Sequence, residues 1–151
     1  MSISTVNIST RLPVVDKDRV LGKIAELDTY LKEIRQILPS TFEAYKQVEK
    51  RRSIERLLQL SIECLIDACK IFVANLKLGI PSEENDLFEK LVAEHILTDG
   101  QSKLLQEMRA FRNILVHEYA VIDDHLVYEM ARSRLKDLET IKSVLLQSIR
   151  K

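Results

Sequence analysis

Apolar residues recur every three or four positions along most of this chain, which is the spacing of helices that bury one face. The first such stripe begins after Asp16, a favourable N-cap residue, and ends before Pro39. Its members are Val20, Ile24, Leu27, Leu31 and Ile34. The pattern predicts a helix from about Asp16 to Ile37, preceded by a flexible Ser- and Thr-rich arm over residues 1–15.

A longer apolar segment starts near Thr41 and stops at Gly79. Its second half, residues 54–78, is apolar on several faces, which predicts the most buried and central helix. A basic run, Lys50 to Arg52, interrupts the segment, and we expect a kink or a split there. This run is either a solvated turn of helix or a rim that faces RNA, and the sequence leaves both interpretations open.

Three further helices are predicted after Gly79. A short one covers residues 83–96, a fourth runs from Asp99 or Gly100 to about Val116, and a last one follows Asp123 and Asp124. The apolar stripe of the last helix comprises Leu126, Met130, Leu135, Leu138, Ile141, Leu145 and Ile149. Because short connections make neighbouring helices antiparallel, we predict an all-α, up-and-down four-helix bundle with one additional short helix.

The composition agrees with one helical domain over residues 16–151, since 46% of the residues are hydrophobic, 30% are charged and only three are glycine. A net charge of zero excludes a global attraction to nucleic acid, so any RNA contact must be local. The first residues lack a secretory signal and no run approaches the ~20 apolar residues of a membrane span. We therefore expect a cytoplasmic protein, with Cys64 and Cys69 as buried free thiols.

The fourth predicted helix carries a core stripe and, beside it, a polar group of side chains. The stripe is Leu104, Met108, Phe111 and Leu115, at steps of four, three and four. A flank beside the stripe carries four polar residues, Arg109, Arg112, Asn113 and His117. The apolar residues Leu105 and Val116 lie on the same flank. A mixed polar and apolar flank of this kind indicates an interface or a groove.

Helical geometry limits how these polar residues can act together. Arg112 and His117 differ by about 140° in direction and about 7.5 Å in rise, so they cannot meet side by side. Asn113 and His117 are four residues apart and can touch, so the amide could orient the imidazole. A shared site for Arg112 and His117 requires the arginine to reach round the helix, or a second subunit to complete it.

The residue types suit RNA cleavage without a metal. A neutral histidine can accept the proton of a ribose 2′-hydroxyl, and a guanidinium can stabilise the charged phosphorane transition state. The alternative is structural: Arg112 pairs with a carboxylate and His117 caps the helix C-terminus. Glu63 and Asp67 are candidates to line the cleft or to pair with Arg112. Spacing alone does not decide between the two interpretations.

The motif adds a family resemblance. Its eight residues, Arg112-Asn113-Ile114-Leu115-Val116-His117-Glu118-Tyr119, resemble the Arg-x4-His-x-Tyr signature of HepT toxins in the HEPN superfamily of helical ribonucleases. Residues 53–78 are similar to the long second helix of that family. The resemblance extends over about residues 16–148.

The resemblance implies a homodimeric endoribonuclease toxin of a type VII, or HEPN/MNT, toxin–antitoxin system that acts on RNA, with tRNA among the candidate targets. Arg112 and His117 would be catalytic, Asn113 and Arg109 would support them, and no metal or cofactor is implied. A cognate MntA-type minimal nucleotidyltransferase would neutralise the toxin by AMPylation of Tyr119. Two alternatives remain: a non-catalytic dimer that binds RNA or a nucleotidyltransferase, and a structural bundle in which the motif is accidental.

Overall fold

The computed structural model describes residues 14–117 and 122–150, which form seven α-helices and no strand. Four are long and three are short. In chain order they are α1 (Val14–Ile37), α2 (Phe42–Tyr45), α3 (Val48–Asn75), α4 (Glu84–Ala93), α5 (Asp99–His117), α6 (Asp124–Ser133) and α7 (Leu135–Arg150). The long helices α1, α3, α5 and α7 make the predicted bundle, so the all-α prediction is confirmed.

Helix α3 lies at the centre of the bundle, as predicted, because it contacts each of the other six helices. Helix α1 packs along α3 and also meets α7. Two ion pairs show that α1 and α7 are antiparallel: Lys142 pairs with Asp28, with Nζ and Oδ1 2.9 Å apart, and Arg35 pairs with Glu139. The buried apolar side chains of these helices form one continuous core.

The apolar stripe predicted for α1 is confirmed in full, since each of its five members is at most 5% exposed. The helix begins at Val14, inside the predicted arm. Residues 1–13, which make up the rest of that arm, lie outside the described residues.

The second apolar segment splits before its basic run and not within it. Helix α2 ends at Tyr45, and Gln47 has an extended backbone with ψ 133° before α3 begins. The rings of Phe42 and Tyr45 pack against Tyr128 of α6, with centroids 5.8 and 5.3 Å apart. This packing holds α2 against α6, and the chain must turn at Lys46 and Gln47 to enter α3.

The basic run lies inside the first turns of α3, where two of its three cations have carboxylate partners. Arg51 Nη1 lies 3.2 Å from Asp124 Oδ2, and Arg52 Nη1 lies 2.9 Å from Glu55 Oε1. The chain is helical through these residues, so the split expected at them is wrong, because helical ion pairs and a contact with α6 accommodate the run.

The last predicted helix is divided at Arg134, whose φ of −119° departs from helical geometry. Neither glycine nor proline is present there to indicate a break. One member of the predicted stripe, Leu126, is 49% exposed, and the buried residues of α6 are Val127, Tyr128 and Ala131. Val127, Tyr128 and Ala131 continue the buried stripe of α7 backward at helical spacing, so both helices bury the same face and Leu126 was wrongly included in the predicted stripe.

Both thiols are buried and free, as predicted. Burial raises the pKa of Cys64 and of Cys69 to about 12. The thiolate, which is the reactive form, is therefore scarce at neutral pH.

Candidate active site

Helix α5 carries the predicted polar group and is anchored by apolar side chains. Met108, Phe111 and Leu115 of the expected stripe are buried, while Leu104 is only partly buried. Leu105, which we placed on the polar flank, is fully buried. The core face of α5 is therefore wider than the stripe predicted, because α4 packs against this helix as well as α3.

Arg112 is nearly enclosed, with only 12% of its side chain exposed. Its Nη2 binds Oε1 of Glu84 at the start of α4, and its Nη1 lies 3.6 Å from Oε2 of Glu63 on α3. Its Nε donates a hydrogen bond to Oδ1 of Asn113 at 2.9 Å. The guanidinium is thus held in one orientation by groups from three helices.

Arg109, one turn earlier, shares the same carboxylate. Its Nε lies 3.0 Å from Oε1 of Glu84, and its Nη1 lies 3.2 Å from Oε1 of Glu83. Lys70 of α3 approaches the second oxygen of Glu84, with Nζ and Oε2 3.6 Å apart. Glu84 therefore joins three cations and is the centre of this cluster.

The pKa of Glu84 reflects these contacts. Burial by itself would raise the pKa of the carboxyl group. The hydrogen bonds from Arg109 and Arg112 and the charge of Lys70 outweigh burial and lower the pKa below its ordinary value of 4.5. Glu84 is consequently ionised at neutral pH.

Glu84→Gln should lower the free energy of unfolding by roughly 1–2 kcal/mol at pH 7, between the values for exposed and buried ion pairs. Because folding depresses the pKa of Glu84, its contribution is complete above the ordinary pKa of 4.5 and disappears as the pH falls through the lower, folded-state pKa. Urea denaturation of both proteins at pH 7 and at a series of lower pH values measures the difference and the pH at which it disappears.

Glu83→Gln is the matched control, since it removes the neighbouring charge at the same helix end. The Glu83 side chain is 59% exposed and pairs only with Arg109 among the described residues. We expect a loss below about 0.5 kcal/mol. Equal losses for the two variants at pH 7 would show that Glu84 does not organise the cluster.

His117 is the last residue of α5 and is exposed. Asn113 was expected to orient its imidazole, but its amide oxygen binds Arg112. The difference arises because the Arg112 side chain turns toward α3 and α4, which brings its Nε against the neighbouring amide. Tyr119, the predicted modification site, lies outside the described residues.

Of the two candidate partners for Arg112, Glu63 contacts it and Asp67 does not. Asp67 Oδ2 lies 3.4 Å from Nζ of Lys23 on α1. Sequence reasoning missed Glu84 altogether. Its place in the first turn of a predicted helix explains an acidic residue there, but no sequence signal pairs it with a helix that follows.

The two remaining histidines lie outside the cluster around Arg112. The ring of His125 stacks on Phe42, with centroids 4.0 Å apart, and His95 is exposed just after the end of α4. Over residues 14–117 and 122–150, no group of three or more His, Cys, Asp or Glu side chains is arranged to hold a metal ion. None of the helices in these ranges is both long and apolar enough to cross a membrane.

An all-helical bundle that carries the Arg-x4-His motif on one long helix is the arrangement implied by the resemblance to the HEPN class. The family model described as "Ribonuclease HepT-like" matches residues 27–145, and the chain belongs to this family. The resemblance noted from the motif is thereby confirmed, together with its function class, a ribonuclease of the HepT type.

The chain is similar in sequence to two curated relatives and in structure to a solved toxin. It is 27% identical to the mRNA nuclease HepT of Shewanella oneidensis over 85% of this chain and 96% of the relative. It is 29% identical to the tRNA nuclease HepT of Aphanizomenon flos-aquae over 84% of this chain and 79% of the relative.

The solved structure is a tri-AMPylated Shewanella oneidensis HEPN toxin in complex with MNT antitoxin. It matches with a TM-score of 0.79 and 26% identity, over 85% of this chain and 96% of the other. The likeness therefore covers nearly the whole of that toxin chain.

Proposed function

We propose that this chain is the toxin of a HEPN/MNT pair and cleaves RNA as an endonuclease, with Arg112 and His117 as its catalytic residues. The observation that carries the proposal is the contrast between the two side chains on α5. Arg112 is held rigidly inside a carboxylate cluster, whereas His117 is exposed at the end of the same helix. A preorganised cation and an accessible base are the two groups that the reaction requires.

In the proposed reaction, His117 accepts the proton of a ribose 2′-hydroxyl while the 2′-oxygen attacks the adjacent phosphorus. The bond from phosphorus to the 5′-oxygen breaks, and that oxygen takes up a proton as it leaves. The products are a 2′,3′-cyclic phosphate and a 5′-hydroxyl end. Arg112 stabilises the extra negative charge on the phosphorane, and Arg109 and Asn113 support its position.

We propose that the active form of the protein is a homodimer. Within one chain, Arg112 and His117 diverge by about 140° and lie about 7.5 Å apart along the axis. Pairing two α5 helices would let His117 of one subunit act beside Arg112 of the other. A monomer in solution at working concentration would remove this part of the proposal.

Neutralisation is proposed to occur by AMPylation of Tyr119. The phenol oxygen attacks the α-phosphorus of ATP on a partner nucleotidyltransferase, pyrophosphate leaves, and the phenol proton is lost to solvent. The attached AMP adds bulk and negative charge two residues from His117, where both would oppose RNA binding. The support comes from the related toxin described as AMPylated and bound to an MNT antitoxin.

One observation favours the non-catalytic alternative. Arg112 already has two carboxylate partners, Glu63 and Glu84, and an RNA phosphate must compete with them. In a protein that only binds RNA or a nucleotidyltransferase, Arg112 could stay paired with Glu63 and Glu84. The two functions differ in whether bound RNA is cut.

The test is incubation of the purified protein with mixed RNA in the presence of EDTA, followed by mapping of the new ends. We expect cleavage that persists without divalent metal and leaves cyclic phosphate ends. RNA that is bound and stays intact would favour the non-catalytic alternative, and cleavage that stops in EDTA would contradict the metal-independent mechanism.

A further inference from the structure

A polar cleft of about 400 Å³ lies between α3 and the end of α5. It is lined by Arg52, Glu55, Arg56, Gln59 and Leu115. Leu115 is two residues before His117, so the cleft opens beside the end of the helix that carries the proposed base. None of the α3 residues that line it belongs to the motif.

The cleft is continuous with the cluster around Arg112. Gln59 Nε2 donates a hydrogen bond to Glu63 Oε2 at 3.1 Å, and the same oxygen lies 3.6 Å from Nη1 of Arg112. Helices α3 and α5 run in opposite directions here, because Glu63 meets Arg112 while Arg56 and Gln59 share a cleft with Leu115. Arg56 of α3 therefore lies toward the His117 end of α5, whereas Glu63 lies beside Arg112.

The charges in the cleft leave one cation unmatched. Arg52 Nη1 lies 2.9 Å from Glu55 Oε1, so these two side chains neutralise each other. Arg56 is exposed and has no ion pair with any residue in 14–117 or 122–150. The lining therefore carries two positive charges against one negative charge, and Arg56 supplies the difference.

We infer that Arg56 binds a backbone phosphate of the RNA next to the one that is cut. Arg56 lies seven residues from Glu63 on α3, about 10 Å along the helix, so Arg56 and Arg112 can reach neighbouring phosphates. A guanidinium that no carboxylate occupies can bind phosphate through two parallel hydrogen bonds. This inference rests on the proposed function and adds a second substrate contact, one phosphate away from the one that Arg112 stabilises.

The test measures the affinity of a single-stranded RNA in a His117→Ala background, which prevents turnover, over a range of salt concentrations. Arg56→Ala should weaken binding about five-fold and reduce the slope of log affinity against log salt by about 0.7, the value for one phosphate contact on a single strand. Arg56→Lys keeps the charge and should recover most of the affinity. Lys32→Ala, which removes an exposed cation on α1, is the control and should match the parent.

The outcomes separate this inference from the proposed function. If the wild type cleaves RNA but Arg56→Ala keeps the parent affinity and salt slope, the phosphate contact is wrong and the ribonuclease stands. If the wild type neither binds nor cuts RNA, the ribonuclease function and the phosphate contact of Arg56 are both wrong.

Discussion

Replacing His117 by alanine should reduce RNA cleavage by about 10³-fold, within the usual range for loss of a general acid or base. The 2′-hydroxyl is a poor nucleophile until a base accepts its proton, and no other exposed histidine lies on α5. RNA binding should change little, because His117→Ala leaves the Arg112 cluster intact. The measurement is the rate of cleavage of a defined RNA together with its dissociation constant.

His95→Asn is the matched control, since it removes an exposed imidazole outside α5. Asparagine is the suitable replacement because His95 has a φ of 61°, a left-handed conformation that asparagine tolerates. The control should cleave at the wild-type rate. If His117→Ala also retains that rate, the catalytic assignment of His117 is refuted, whatever the role of Arg112.

Replacing Tyr119 by phenylalanine should abolish nucleotidyl transfer while RNA cleavage continues. Only the phenol oxygen is lost, so the acceptor disappears with the smallest possible change of shape. In cells that also contain the nucleotidyltransferase, the wild type should be silenced and Tyr119→Phe should still arrest growth. Mass spectrometry of the purified chains should find added AMP on the wild type alone.

Tyr30→Phe serves as the control for this experiment. Among the tyrosines that the structure describes, Tyr45 and Tyr128 are buried, whereas Tyr30 on α1 is partly exposed and is the more accessible phenol. This variant should be AMPylated and silenced like the wild type. AMP on Tyr119→Phe would mean that another group accepts the nucleotide, and Tyr119 would then lose its proposed role.

Much of the fold follows from the sequence because local periodicity reports burial directly. The α1 stripe is buried at every predicted position, and the apolar character of residues 54–78 correctly predicted the central helix. The motif was equally visible, since it is a contiguous run on one helix. That run carried the family resemblance, which the family model confirms.

The site was less predictable because its partners come from other helices. Glu63 could be named as a partner of Arg112 from its place on the central helix, but Glu84 is 28 residues from Arg112 in sequence. The expected pairing of Asn113 with His117 followed from helical spacing alone. In the structure, Asn113 instead accepts a hydrogen bond from Arg112. The Arg112 side chain points toward Glu63 and Glu84, which only the packing of α3 and α4 places near it.

The sequence by itself determined the helical class, the order of the long helices, the buried thiols and the residues of the motif, because each of these depends on residue type and short-range spacing. Only the tertiary structure decided where helices break without glycine or proline, at Gln47 and Arg134, and which acids hold Arg112. Those features depend on contacts between helices distant in sequence. A side chain's partner there is set by packing geometry, which local periodicity does not encode.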